Sequence, residues 1–245
     1  MPDHRVPLVL LPGTMCDARV FAPLLDRLAV RRVLIASLVG HETPADMARA
    51  LLAELPPRSA LGGFSLGGIV ALEMAAQAPE RVAGLALFDT TARPDPEGNA
   101  TLRRNAVARA AQLGTGRYAG QKLWSLYVSP EAGDLDTHRA LVSAMAADAG
   151  IEAFRQQSEM ATNRADSRPR LARIAIPTLV LCGEDDRLCS VEAHRELAAG
   201  IAGARLAVLP QAGHFALIER PDAVAHEVAA WLARLDSQNA QERTP

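Results

Sequence analysis

Cysteine is scarce: Cys16, Cys182 and Cys189 are the only three in 245 residues, and none forms a paired C-x-x-C. An odd, unpaired set supports neither a disulfide framework nor a zinc site, and it fits a reducing cytoplasm. Long apolar runs are missing as well. The run from Val6 to Leu11 is too short to cross a bilayer, and it leads into Pro12-Gly13 without a small-residue cleavage site, which argues against secretion. Nor is there a surplus of basic residues: the formal charge of -2 implies no nucleic acid and no membrane surface as partner. Internal repeats are absent. What remains as the default is a small-molecule substrate.

Apolar material is present in quantity, at 49% of the chain, enough for a full core in one domain that carries an insertion. Short continuous apolar runs fall at residues 7–11, 33–38, 60–64, 85–88, 178–181 and 206–209. Continuous rather than alternating runs suit strands buried on both faces, with helices as right-handed parallel crossovers. The helical stretches between them carry apolar residues at three- and four-residue spacing, as in Met47, Leu51, Leu52 and Leu55. The fold class expected is therefore α/β, with about six mostly parallel strands.

The strand rhythm vanishes between Phe88 and Ile176, where the sequence reads as short helices broken at Gly114, Pro130 and Gly150. This predicts an all-helical lid, residues 93–173, inserted before the last two strands into a core of residues 1–92 and 174–235. The lid holds twelve Lys/Arg and nine Asp/Glu in a chain of net charge -2, a weak pointer to an anionic substrate beside the plainer reading of a solvated surface. Residues 236–245 are polar without periodicity and are expected to form a disordered tail.

Gly63-Phe64-Ser65-Leu66-Gly67 is a G-x-S-x-G between an apolar run and a helix-like stretch. That context forces the serine onto a tight strand-to-helix turn with its hydroxyl projecting, as nucleophilic catalysis requires. A serine hydroxyl needs a base. Of six histidines, His214 follows the run at 206–209 within Gln211-Ala212-Gly213-His214-Phe215, and His41, in a loop after another strand, is the alternative. The base in turn needs a carboxylate to fix its tautomer. The run at 178–181 ends in Cys182-Gly183-Glu184-Asp185-Asp186, from which Asp186 is the choice and Asp185 the next. An oxyanion needs two N–H donors: the backbone of Leu66, after the serine, and Thr14 in the loop after the first strand, with Met15 as its alternative. No metal or other cofactor is called for.

With serine, acid and histidine in that order, each after a strand, the chain resembles the α/β-hydrolase superfamily from Pro7 to Leu235. The stretches Pro177 to Asp186 and Ala212-Gly213-His214-Phe215, followed by Glu219-Arg220-Pro221, are similar to the family's acid and histidine segments. In that pattern the acid is the third residue after the glycine, which favours Asp186. Leu87-Phe88-Asp89-Thr90-Thr91-Ala92 and the compact lid look most like small serine esterases and 3-oxoadipate enol-lactonase-like hydrolases. The chain departs from the family in having Pro12-Gly13 where His-Gly is usual, in lacking a proline near Cys189, and in lacking two leading strands.

The resemblance implies an acyl-enzyme on Ser65 and hydrolysis of a small carboxylic ester or lactone. A thioester or a carbon–carbon bond is the alternative for the same residues, and a non-catalytic receptor on the same fold is the reading from another class. Met15, Cys16, Trp124, Tyr127, Phe154 and Phe215, together with Tyr118, Met145 and Met160, are candidates for an apolar pocket.

Overall fold

The computed structural model describes residues 5–29 and 32–242. Its centre is a six-stranded sheet: β1 (Leu8–Leu11), β2 (Val33–Ile35), β3 (Ser59–Phe64), β4 (Val82–Phe88), β5 (Thr178–Gly183) and β6 (Arg205–Leu209). The spatial order is β2-β1-β3-β4-β5-β6 with every neighbour parallel. The inner strands β1, β3, β4 and β5 are buried along their whole length, which is why they read as unbroken apolar runs. β2 is an edge strand and ends at Ile35, short of the apolar run that continues to Leu38.

Helices cover both faces: α1 (Pro44–Glu54), α2 (Leu66–Gln77), α3 (Asn99–Leu113), α4 (Leu135–Thr162), α5 (Val191–Gly200) and α6 (Pro221–Glu242). Their starts are written locally. Thr43 caps α1 by accepting the Asp46 N–H, with Pro44 at the first helical position, and Ser190 caps α5 by accepting the Ala193 N–H. On the α6 face, Trp231 packs in the core while its indole N–H reaches the Pro177 carbonyl at 2.9 Å, fastening the helix to the start of β5.

The expected tail is a correction. α6 continues to Glu242: Ala240, Gln238, Gln241 and Glu242 are sound helix formers, and Ser237 and Asn239 fold their side chains back onto the carbonyls of Ala233 and Leu235. Residues 243–245 lie outside the described residues.

Between β4 and β5 all the regular structure is helical: α3, a run of short turns at 115–127 that includes a π-helical stretch, Ala119–Leu123, then α4 and a 3-10 turn at Arg168–Arg173. α4 is interrupted at Gly150, where φ is +74°. This insertion sits over the carboxyl ends of the strands, where open α/β sheets hold their ligands.

Candidate functional site

Ser65 follows β3 and occupies the N-cap position of α2, with φ +51° and ψ -113°. A serine there ordinarily spends its hydroxyl on capping the helix, but here the side chain makes no cap bond. The backbone is strained enough to aim the hydroxyl away from the helix. Its peptide is held by the Ser65 N–H to the Phe88 carbonyl at 2.9 Å and by the Thr90 hydroxyl to the Ser65 carbonyl at 2.7 Å. Gly67 makes the turn possible, since a Cβ there would fall on the Leu11 carbonyl of the neighbouring strand.

His214 Nε2 lies 3.0 Å from Ser65 Oγ, and its Nδ1 lies 2.9 Å from Asp186 Oδ2. A hydroxyl on an imidazole backed by a carboxylate is the arrangement that activates a serine. His214 is buried, with Tyr127 stacked at 6.2 Å between ring centroids and Phe215 edge-on at 6.0 Å. Burial alone would raise the Asp186 carboxyl. The His214 charge and hydrogen bond, with the amides of Cys189 and Leu188 on Oδ1, outweigh it and hold Asp186 below the usual carboxylate range.

The alternatives for acid and base are placed elsewhere. Asp185 accepts the Ser129 hydroxyl at 2.6 Å, fastening the insertion to the β5 loop. His41 sits near Asp46 at the start of α1. His194 faces inward: it is fully buried, Nε2 accepts the Thr90 N–H at 2.9 Å and Nδ1 faces the Ser190 carbonyl at 2.9 Å.

Asp89 appeared in the sequence only as part of a motif. It is fully buried at the end of β4, with φ +47°, and one oxygen accepts the Gly183 N–H at 3.0 Å. Burial, and then the charge of Asp186, push its carboxyl well above the usual range. The two acids are thus driven in opposite directions, which leaves the charge beside His214 on Asp186. Only an aspartate directly after a strand hinted at this residue.

The insertion is joined to the His214 loop at two points, and Glu219 ties that loop to itself. The His214 N–H donates to the Tyr127 carbonyl at 2.8 Å. Glu219 Oε2 accepts the amides of Ser129 and Gly213, and its Oε1 accepts that of Phe215. Burial raises the Glu219 carboxyl despite these donors.

Leu66 is the first residue of α2, so its N–H has no intrahelical acceptor and points out of the helix beside Ser65. In the β1 loop Gly13 brings the backbone against the Phe64 ring and Ser65 Cβ, space that a side chain would need. Of the two candidate donors there, Met15 is already committed. Its N–H bonds Gln157 Oε1 at 2.8 Å, with Met15 at φ +55°, and Gln157 Nε2 donates to the Leu38 carbonyl at 3.2 Å. Gln157 on α4 is buried and was not singled out in the sequence; a lone glutamine on a helix gives no signal there.

If Gln157 holds the β1 loop so that Thr14 faces the serine, Gln157→Leu should lower kcat by about 10- to 100-fold with a smaller change in KM, the signature of a lost oxyanion contact. Gln157→Glu, which keeps the acceptor for Met15, should recover part of the loss. Steady-state kinetics on a p-nitrophenyl ester read both, and an unchanged kcat in Gln157→Leu would remove this role.

A cleft of about 520 Å³ opens above Ser65, lined by Thr14, Leu66, Tyr118, Tyr127, Phe154 and Phe215 among others. Met15, Cys16, Trp124, Met145 and Met160 do not line it, a correction to the expected pocket. Met15, Met145 and Met160 are packed in the core, and the Cys16 thiol turns to the Thr14 carbonyl. Trp124 packs in the same core and is capped by the Arg139 guanidinium at 5.2 Å.

Asp186, Cys189 and His214 are the trio among the described residues whose ligand atoms converge within 4.8 Å. Their chemistry is poorly suited to a metal. Nδ1 of His214 is engaged by Asp186, and burial pushes the Cys189 thiol far up, away from the thiolate a metal would need.

The sequence profile of the alpha/beta hydrolase family matches residues 8–227. Among curated proteins, the pimeloyl-[acyl-carrier protein] methyl ester esterase of Neisseria meningitidis serogroup C is 29% identical over 240 residues, covering 92% of this chain and 93% of that one. The enzyme of the same name from Xanthomonas campestris pv. campestris is 29% identical, covering 95% and 97%. A thermophilic esterase from Thermogutta terrifontis superposes with a TM-score of 0.85 at 26% identity, covering 94% of this chain and 90% of that one. The enol-lactonase of Burkholderia xenovorans LB400 shares the fold, with a TM-score of 0.83 at 24% identity over 94% and 92% of the two chains. With the parallel sheet, the elbow after β3 and a profile match over nearly its whole length, the chain belongs to the alpha/beta hydrolase family.

Proposed function

We propose that this hydrolase cleaves a small carboxylic ester or lactone through an acyl-enzyme on Ser65. The observation that carries the reading is the pair of contacts from His214, 3.0 Å to Ser65 Oγ and 2.9 Å to Asp186, at the floor of a cleft. The names of the esterase relatives support the same bond type.

In this mechanism His214 takes the Ser65 proton as Oγ attacks the carbonyl carbon. The oxyanion is held by the amides of Leu66 and Thr14. Imidazolium, stabilised by Asp186, then protonates the leaving alkoxide, and the ester bond breaks. Water enters, gives its proton to His214 and attacks the acyl carbon, and the acid leaves as Ser65 regains its proton. In a lactone the leaving alkoxide stays tethered, and the product is a hydroxy acid. The helical insertion acts as the lid of the cleft and supplies its aromatic wall.

A fluorophosphonate probe tests the chemistry directly. It should label the folded protein at one site, with the phosphonate on Ser65 by peptide mass analysis. Folded protein that takes no label, or takes it on another serine, ends the reading.

A further inference from the structure

The lining of the cleft over Ser65 mixes two kinds of side chain. Leu123, Tyr118, Tyr127, Phe154 and Phe215 supply an apolar part. Four arginines, Arg93, Arg103, Arg164 and Arg187, also line it, and among the described lining residues none is acidic. In a chain of net charge -2 this is a local concentration of positive charge.

The carboxylates paired with these arginines do not balance them. Arg103 and Arg164 share a single acid, Asp95, at 2.8 and 2.7 Å, and Asp95 itself is almost wholly buried. Arg93 pairs with Glu196 at 2.7 Å. Arg187, next to Asp186 in the chain and exposed, bonds only the Ser125 carbonyl, at 3.1 Å, and among the described residues no carboxylate pairs with it. Two acids thus stand behind four arginines. A cleft with unbalanced guanidinium groups raises the local concentration of anions and offers forked donors to a planar carboxylate.

We infer that the substrate carries a free carboxylate, separated by an apolar spacer from the ester or lactone carbonyl, and that Arg187 with the Arg103–Asp95–Arg164 cluster binds it. This rests on the serine-hydrolase reading and deepens it. The carbonyl sits at Ser65, the spacer lies against the aromatic wall, and the carboxylate faces the arginines. Asp95 holds the paired arginines, while Arg187, exposed and bonded to the Ser125 carbonyl through one nitrogen, keeps its remaining donors for the anion.

The test compares monomethyl adipate, an anion, with dimethyl adipate, its neutral diester, on the purified protein. The anion should be favoured in kcat/KM by about tenfold or more, the effect of one charge-assisted hydrogen bond. Arg187→Gln and Arg103→Gln should each cut that ratio by about tenfold, mainly through KM for the anion. Arg234→Gln, which removes the same charge at the far end of α6, should leave the ratio as it is. The ratio cancels a general loss of folded enzyme. If the protein labels with fluorophosphonate and hydrolyses the neutral diester but shows no preference for the anion, this inference falls alone. A preference that survives in both cleft variants overturns it too. Absence of labelling removes the hydrolase reading and this inference with it.

Discussion

Ser65→Ala is expected to lower kcat/KM for p-nitrophenyl esters by about 10⁴-fold or more, because the other nucleophile near His214, the Cys189 thiol, is kept protonated by burial. The fold should be indifferent. Ser65 makes no helix-cap bond, its backbone amide and carbonyl carry the local contacts, and alanine keeps both. Thermal unfolding should therefore move by no more than about 4 °C, the equivalent of roughly 1 kcal/mol in a chain of this size. The change deletes the Oγ–Nε2 contact, but that contact is a reactive arrangement on a strained backbone rather than a stabilising one. Activity within about tenfold of the parent would mean that the nucleophile is another group.

The second large effect separates three carboxylates. Asp186→Asn should reduce kcat by about 10³- to 10⁴-fold, since an amide cannot hold His214 in the tautomer that leaves Nε2 free to take a proton. Asp185→Asn exchanges a charged acceptor of the Ser129 hydroxyl for a neutral one. Asp89→Asn replaces a group that already favours its neutral form. Both should keep kcat within about tenfold of the parent. An Asp185→Asn as damaging as Asp186→Asn would reassign the acid.

Stability follows the same charges. Asp186 is depressed below its ordinary value of 3.8, so its contribution is complete above that value and disappears as pH falls through the lower, folded-state value. The advantage of the parent over Asp186→Asn in thermal unfolding should accordingly shrink on acidification. Asp89 works in the other direction. Its raised value favours the fold while the proton is on, and that contribution declines as pH rises through it.

The sheet was legible in the sequence because its inner strands are buried on both faces, and burial writes itself as unbroken apolar runs of the right length. β2 was read three residues too long because an edge strand ends where its pairing with its single neighbour ends, here at Ile35 opposite Leu10, and not where apolarity ends. Ser65, Asp186 and His214 could be chosen because each follows a strand and the sheet is parallel, so all three loops emerge at one edge. The pocket was harder. Whether Trp124 or Tyr127 faces the cleft depends on the rotation of short helical turns, and a pattern of three- and four-residue spacing does not set which side meets the strand ends. Gln157 and Glu219 were invisible for a different reason: each acts through backbone groups distant in sequence, and no residue type advertises such a partner.

The bonds from Tyr127 and Ser129 to the His214 loop bear on how this protein can be re-engineered. Exchanging the whole insertion is the obvious route to a new specificity, and here it would also remove the main-chain acceptor of His214 and one of the donors that fix Glu219. A graft that retains residues 127–129 and Gln157 and replaces only the segments around them alters the walls of the cleft while the imidazole and the β1 loop keep their support. Selectivity and catalytic power are therefore separable outside these few positions and inseparable at them.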